Sequence, residues 1–270
     1  MHKRVRIALV VLLVAVAGVS AWQGLREREP VYKGKPLSAW LNAYRLHGLA
    51  GIETWQVRVE QQEADEAVRQ AGTNALPTLL RMLRAKDSVQ KIKFLALAER
   101  QHFIKIKYTP AEELNYRALS GFGVLRAKAQ SAVPALIEIA NKNISHDSQC
   151  YAIAALVLIG PSAKAAIPFL SGWATNADGS VRLYAVKALG GIHAEPDRVL
   201  PVLTNAIHDP APQVRTGAFM ALQDFGPNAK SALPELVKFF NNAQDSSERS
   251  YAANALKAID PEAAAKAGVR

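Results

Sequence analysis

A chain of 270 residues with half of them apolar can bury a sizeable core, and it need not be two independent globular domains. Its formal charge of +10 suits contact with nucleic acid, anionic lipid or acidic polymers as well as plain solubility. The single cysteine, Cys150, excludes an intramolecular disulfide.

The first six residues are basic, and Ile7 to Trp22 form an uninterrupted apolar and small-residue run, so residues 1–22 read as a signal peptide or signal anchor. As a helix the run spans about 24 Å, short of the ~30 Å hydrocarbon core. Val19-Ser20-Ala21 offers a cleavage site, whereas Trp22 and the flanking arginines suit retention with membrane contact through residues 7–22. Both readings leave the positive start inside and export the rest. Residues 23–36, charged and punctuated by Pro30, Gly34 and Pro36, read as a tether. Residues 37–60 read as an N-terminal helical cap. Ser38 caps a short helix with Trp40, Leu41 and Tyr44 on one face, and Trp55 joins them in closing the open end of a helical array.

Residues 61–270 carry a repeated grammar, first seen at Glu66 to Leu83. An insertion at about 84–110 breaks the beat. There Ser88 caps a helix through roughly Arg100, Ile104 to Tyr108 alternates apolar and basic as an extended segment does, and Thr109-Pro-Ala-Glu112 spells a capping box that restarts the helices. Beyond it, Ala152, Ala155 and Leu156 return as Ala185, Ala188 and Leu189, as Ala218, Ala221 and Leu222, and as Ala252, Ala255 and Leu256, every 33 or 34 residues. Pro134, Pro168, Pro201 and Pro234 keep the same beat in the first turn of a second helix. Gly160-Pro161 and Gly226-Pro227 stop the first helices, His193-Ala194 departs from that form, and the second unit has a slightly longer break from Gly123 to Pro134. Asp178, Asp209 and Asp245 are cap candidates, Asp245 to Glu248 spells a capping box, and Arg182, Arg215 and Arg249 brace neighbouring loops through the aspartates. Two markers drifting together mean a stacked array in which each unit buries its apolar face against its neighbours.

The Asp178/Arg182 and Asp245/Arg249 starts, the Ala-x-x-Ala-Leu cores, the Gly-Pro breaks and the prolines resemble HEAT repeats, in particular the short bacterial kind called PBS-lyase HEAT-like. The resemblance implies an all-α fold, an α-solenoid of helical hairpins, and specifies a scaffold far more than a function. HEAT-like di-iron hydroxylases depend on His-Glu pairs, and no histidine here precedes a glutamate. His146-Asp147 and His208-Asp209 lie two units apart, roughly 20 Å by helix-layer spacing, too far to share a metal. There is no glycine-rich phosphate loop, nucleophile elbow, Cys-x-x-Cys or paired-carboxylate motif. No catalytic residue, metal or cofactor is therefore expected. Cys150 reads as a packing residue, and Tyr151, Tyr184 and Tyr251, in one phase with Gly217, read as packing between units.

Basic residues concentrate between Arg81 and Lys107, against only Asp87 and Glu99. Lys91, Lys93, Arg100, His102, Lys105 and Lys107 are the candidate binding residues, an anion-binding patch if they gather and a solvated face if they do not. These observations predict a non-catalytic protein-binding scaffold with a protein or peptide partner and no specific nucleic-acid signal. It would be periplasmic or anchored in the inner membrane with its repeats outside the cytoplasm. The alternatives are a module for an acidic polymer or lipid head group acting through the insertion, and an accessory subunit of an enzyme.

Overall fold

The computed structural model describes residues 29–45, 55–100, 108–142 and 144–269. The signal or anchor of residues 1–22 lies outside the described residues, as do His102, Lys105, Lys107 and the side chain of Arg100. Strands β1 (Val31–Tyr32) and β2 (Lys35–Pro36) pair antiparallel, and α1 (Leu37–Trp40) comes directly after them. The helices beyond residue 55 follow one another in two-helix units, called hairpins below: α2 (Trp55–Ala71) then α3 (Leu76–Leu83), α5 (Ala111–Leu125) then α6 (Val133–Lys142), and α7 (His146–Ile159) then α8 (Ile167–Trp173). Then come α9 (Gly179–Ile192) with α10 (Pro196–Ala206), α11 (Pro212–Phe225) with α12 (Leu233–Asn242), and α13 (Ser246–Ile259) with α14 (Pro261–Lys266). Between the first and second hairpins stands α4 (Val89–Arg100).

The first helices α5, α7, α9, α11 and α13 stack in series, and each also rests on the second helix of the preceding unit. The repeated alanines and leucines sit in these seams: Ala152, Ala155, Leu156 and their equivalents are all buried, in one core running from Leu37 to Ala264. Small residues set the spacing. A Cβ added at Gly190 would stand 2.6 Å from that of Ala221 and 3.1 Å from its Cα, so α9 and α11 touch backbone to backbone there. The His146–Trp173 run is apolar enough to cross a membrane by composition, and it is the core hairpin of the third unit.

The breaks explain where the sequence reading slips. Each first helix except α13 ends on a residue with positive φ, which glycine adopts at Gly72 (55°), Gly160 (70°) and Gly226 (50°). Arg126 (φ 48°, ψ −128°) and His193 (φ 51°, ψ 47°) occupy the same slot, so the second unit's break falls at Arg126 and Gly123 lies inside α5. In the fourth unit the usual 3-10 turn is missing, α10 begins at Pro196, and Pro201 lies inside the helix and not in its first turn. Arg126 holds a conformation open mainly to glycine, at a cost of about 1–3 kcal/mol. Arg126→Gly is expected to stabilise the chain by about 1 kcal/mol after the added freedom of the unfolded state, read from the urea midpoint. His193→Gly gains less, because the His193 ring stacks on Phe225 at 4.3 Å and that contact is lost.

The N-terminal region also departs from expectation. The described end of the tether is a tight hairpin with positive φ at Lys33 and Gly34, folded onto the first unit: Trp40 Nε1 donates to the Tyr32 carbonyl at 2.9 Å, and Lys33 pairs with Glu63 at 3.3 Å. Ser38 caps nothing with its side chain. The residue preceding α1 is Pro36, and the Ser38 amide donates to Glu29 at 3.1 Å. Trp40, Leu41 and Tyr44 are buried as the pattern predicts, whereas Trp55 is 69% exposed and closes nothing. Burial and the adjacent Asp65 carboxylate push the Tyr44 hydroxyl far above its usual range.

One helical slot tethers each unit to the last. Asn115 Nδ2 donates to the carbonyls of Met82 (2.8 Å) and Leu83 (3.1 Å), and Gln149 Nε2 to that of Ala140 (2.9 Å). Arg182 holds Asn176 and Ala177, and Arg215 holds Asp209 and Pro210, again at carbonyls. The two arginines also reach forward: Arg182 grips Asp209 at 2.6 and 2.8 Å, and Arg215 grips Glu248. Bracing by arginine is therefore present, with corrections in detail. Glu248 serves Arg215 rather than the helix start, Asp209 caps no helix and accepts from Ala211 N at 2.8 Å, and Arg249 lies over Phe240 at 4.7 Å. Asp178 and Asp245 do cap, accepting from Ser180 and from Ser247 and Glu248. Arg182 holds the Asp209 carboxyl below its ordinary value against the opposing effect of burial. A depressed carboxylate stabilises the fold above its unfolded pKa and loses that contribution as pH falls through the folded value. Arg182→Leu is thus expected to lower Tm at pH 7, with the gap to the parent closing under acid conditions.

Candidate binding groove

Helix α3 buries Leu76, Leu79, Met82 and Leu83, which turns Pro77, Arg81 and Arg84 outward. This outward side floors a depression of about 840 Å³ bounded by Thr73, Asn74, Thr78, Ser131 and Pro30. Arg81 also borders a second depression of about 540 Å³ that reaches Ser38, Asn42, Thr109 and Arg117. Thr73 and Ser131 are shared with a third of about 610 Å³ that continues past Lys128 to Ser162. The three adjoin one another through Arg81, Thr73 and Ser131 and are together called the furrow, from the N-terminal cap across the second helix of the first unit to the turns of the second and third.

The lining is more apolar than polar, and it carries hydrogen-bonding groups and arginines. Hydroxyls and amides of Thr73, Asn74, Thr78 and Ser131 line it, and Arg81 and Arg84 expose 42% of their side chains each. Their carboxylate partners differ. Glu29, on the segment leading into β1, is ion-paired with Arg81, while Glu138 stands 3.7 Å from Arg84 and is itself half exposed. Burial alone would raise the Glu29 pKa, but Ser38 and Arg81 outweigh it and hold the carboxyl below its usual range. Arg117 is committed to the scaffold, donating to the Tyr44 carbonyl and to Glu113 at 3.2 Å each.

The predicted patch is only partly placed. Lys91 and Lys93 are exposed on α4, and the other four candidates, Arg100 by its side chain and His102, Lys105 and Lys107 entirely, lie outside the described residues. Lys91 is engaged, 3.1 Å from Asp87 and 4.6 Å above the Tyr108 ring. Ser88 caps α4 as predicted, through the Lys91 amide at 3.2 Å. Thr109 makes no such cap for α5, because Asp87 reaches across the insertion to accept from Ala111 N at 2.9 Å. Arg81 and Arg84 belong to the basic stretch but not to the predicted site. The signal that finds them is their i, i+3 spacing opposite Leu79, Met82 and Leu83.

Elsewhere the polar side chains serve packing. Cys150 is half-buried with its Sγ 3.5 Å from His146 Nε2, and burial raises its thiol pKa, the reverse of an activated nucleophile. Tyr151 and Tyr184 pack against the core, while Tyr251 is exposed. His208 pairs with Glu235 at 2.9 Å, and its neighbour Asp209 belongs to Arg182. Among the described residues no cluster of three or more His, Cys, Asp or Glu is placed to hold a metal ion.

Residues 167–257 match the family described as HEAT repeats. Over that stretch the chain is similar to HEAT repeats. No curated protein matches it. Similar solved structures include a designed armadillo repeat protein in complex with the peptide (KR)4, which is 16% identical, covers 83% of this chain and 99% of its own, and has a TM-score of 0.45. Two engineered proteins are 19% and 18% identical, cover 83% of this chain and 98% and 96% of their own, and have TM-scores of 0.49 and 0.44. The matched HEAT repeats comprise α8 to α13, in which the slot filled by Arg182, Arg215 and Arg249 recurs.

Proposed function

We propose that this HEAT-repeat chain is a non-catalytic scaffold that binds an extended acidic segment of a partner protein in the furrow beside α3. We further propose that residues 1–22 export it or anchor it with the repeats outside the cytoplasm. The observation that carries the binding reading is the Glu29–Arg81 pair: the furrow already receives a carboxylate from an extended stretch of chain. Arg84, held by one 3.7 Å contact, offers a second guanidinium suited to bidentate carboxylate recognition. Thr73, Asn74, Thr78 and Ser131 supply donors and acceptors for a peptide backbone. Export rests on the basic start and the apolar run Ile7 to Trp22.

The test is fluorescence anisotropy with labelled Glu/Asp-rich peptides and neutral peptides of equal length. Acidic peptides are expected to bind, more weakly as salt rises, and Arg81→Glu with Arg84→Glu is expected to cut affinity at least tenfold. Lys187→Glu, on α9 and outside the furrow, is expected to change nothing. Equal binding of neutral peptides, or full affinity in the double variant, refutes the reading. A reporter active only outside the cytoplasm, fused after Pro36, tests export separately, and silence there refutes it.

A further inference from the structure

Helix α4 departs from the rest of the array. After Arg84 the chain leaves the repeat, and the Asp87 carboxylate pins the base of the excursion, one oxygen on Ala111 N and the other on Lys91. Beyond that base every described side chain of the helix is exposed. Val89 is 66% exposed, Ile92 52% and Leu97 58%, three of the most exposed large apolar side chains among the described residues. At about 100° per residue these three, with the exposed Ala96 and Lys93, fall within an arc of roughly 140°. Lys86, also exposed, stands just ahead of the helix, and Asp87 is already occupied, so the described part of this face is apolar with one lysine, Lys93, within it between Val89 and Leu97.

We infer that α4 is an interfacial helix that lies on an anionic lipid bilayer, with Val89, Ile92 and Leu97 entering the boundary of the acyl chains and Lys86 and Lys93 among the phosphates. The long apolar stem of Lys93 lets its ammonium reach up to the phosphates while the apolar side chains on either side of it enter the boundary, as in helices that lie in that plane. Connectivity gives a second argument, and it rests on the proposed anchor at residues 1–22. Glu29 is fastened to Arg81 on the first unit, and the seven residue steps from Trp22 to Glu29 reach at most about 25 Å. A chain anchored through Ile7 to Trp22 therefore holds its first unit, from which α4 projects, against the membrane. The lipid surface then covers the stripe.

The full-length chain, reconstituted into phosphatidylcholine vesicles with or without 30% phosphatidylglycerol (about that fraction suffices for a negative surface), provides the test through amide hydrogen exchange of residues 89–97, with α9 as internal reference. Exchange is expected to slow about tenfold or more in the anionic vesicles and to change little in the neutral ones. Ile92→Glu with Leu97→Glu is expected to abolish that protection while circular dichroism stays unchanged, and Lys93→Glu to reduce it. Equal exchange in both vesicle types, or protection that survives the double variant, overturns the inference; a protein cover for α4 gives the first of these results. Alkaline extraction of the same vesicles separates the two readings. A chain that resists extraction while α4 stays unprotected keeps its anchor and loses the interfacial helix. One that is extracted yet shows protected α4 amides loses the anchor and keeps the interfacial helix.

Discussion

Gly190→Val is expected to destabilise the chain by about 3 kcal/mol, enough to bring a marginal array close to unfolding at ambient temperature. The first atom of any side chain at this position meets the Ala221 Cβ at 2.6 Å and its Cα at 3.1 Å, and backbone gives way only if α9 and α11 separate. Separation opens the seam filled by Leu189 and Leu222, so overpacking is followed by lost contacts on both sides. Urea unfolding followed by circular dichroism measures the loss. Gly172→Ala is the control, since nothing lies within 4 Å of a Cβ there, and it is expected to be neutral or slightly stabilising. Equal midpoints for the two variants would mean that the helices are not in backbone contact.

Asn115→Leu is expected to cost about 2–3 kcal/mol although it makes the core more apolar. Asn115 is fully buried, and its amide closes the last turn of α3 by donating to Met82 and Leu83. Leucine removes a donor from each carbonyl in a place water does not reach, although Met82 keeps the Ala85 amide at 3.1 Å. The Leu83 carbonyl keeps a second donor, the Ser148 hydroxyl from the third unit. Ser148→Ala alone should therefore be mild. The double variant should cost more than the two singles together, because the Leu83 carbonyl then has neither side-chain donor. Strict additivity in that cycle would show that the two donors do not share the Leu83 acceptor.

The stacked helices are legible in the sequence because they depend on periodic residues: each Ala-x-x-Ala-Leu occupies a seam, and a period survives local exceptions. What escapes depends on contacts between residues far apart in sequence. The cap on α5 comes from Asp87, 24 residues upstream of Ala111, and nothing in Thr109-Pro110 betrays it. The positive φ of Arg126 and His193 is imposed by the register of the array on residues that do not favour it, so the missing glycines misplace one break and one proline. Trp55 reads as core by residue type alone, and type does not say which way a helix is turned. In the furrow, Arg81 and Arg84 are readable as an outward face, whereas the Glu29 carboxylate, 52 residues away from Arg81, is not.

Asp87 also sets how freely the excursion between the first two hairpins can vary. Because one carboxylate fixes both Lys91 and the start of α5, the chain between those points closes a ring whose ends the rigid array already holds together. The entropy of closing such a ring grows only with the logarithm of its length, roughly 0.6 kcal/mol for each doubling. Related sequences can therefore lengthen, shorten or exchange the segment beyond Lys91 with little thermodynamic consequence for the stacked hairpins on either side.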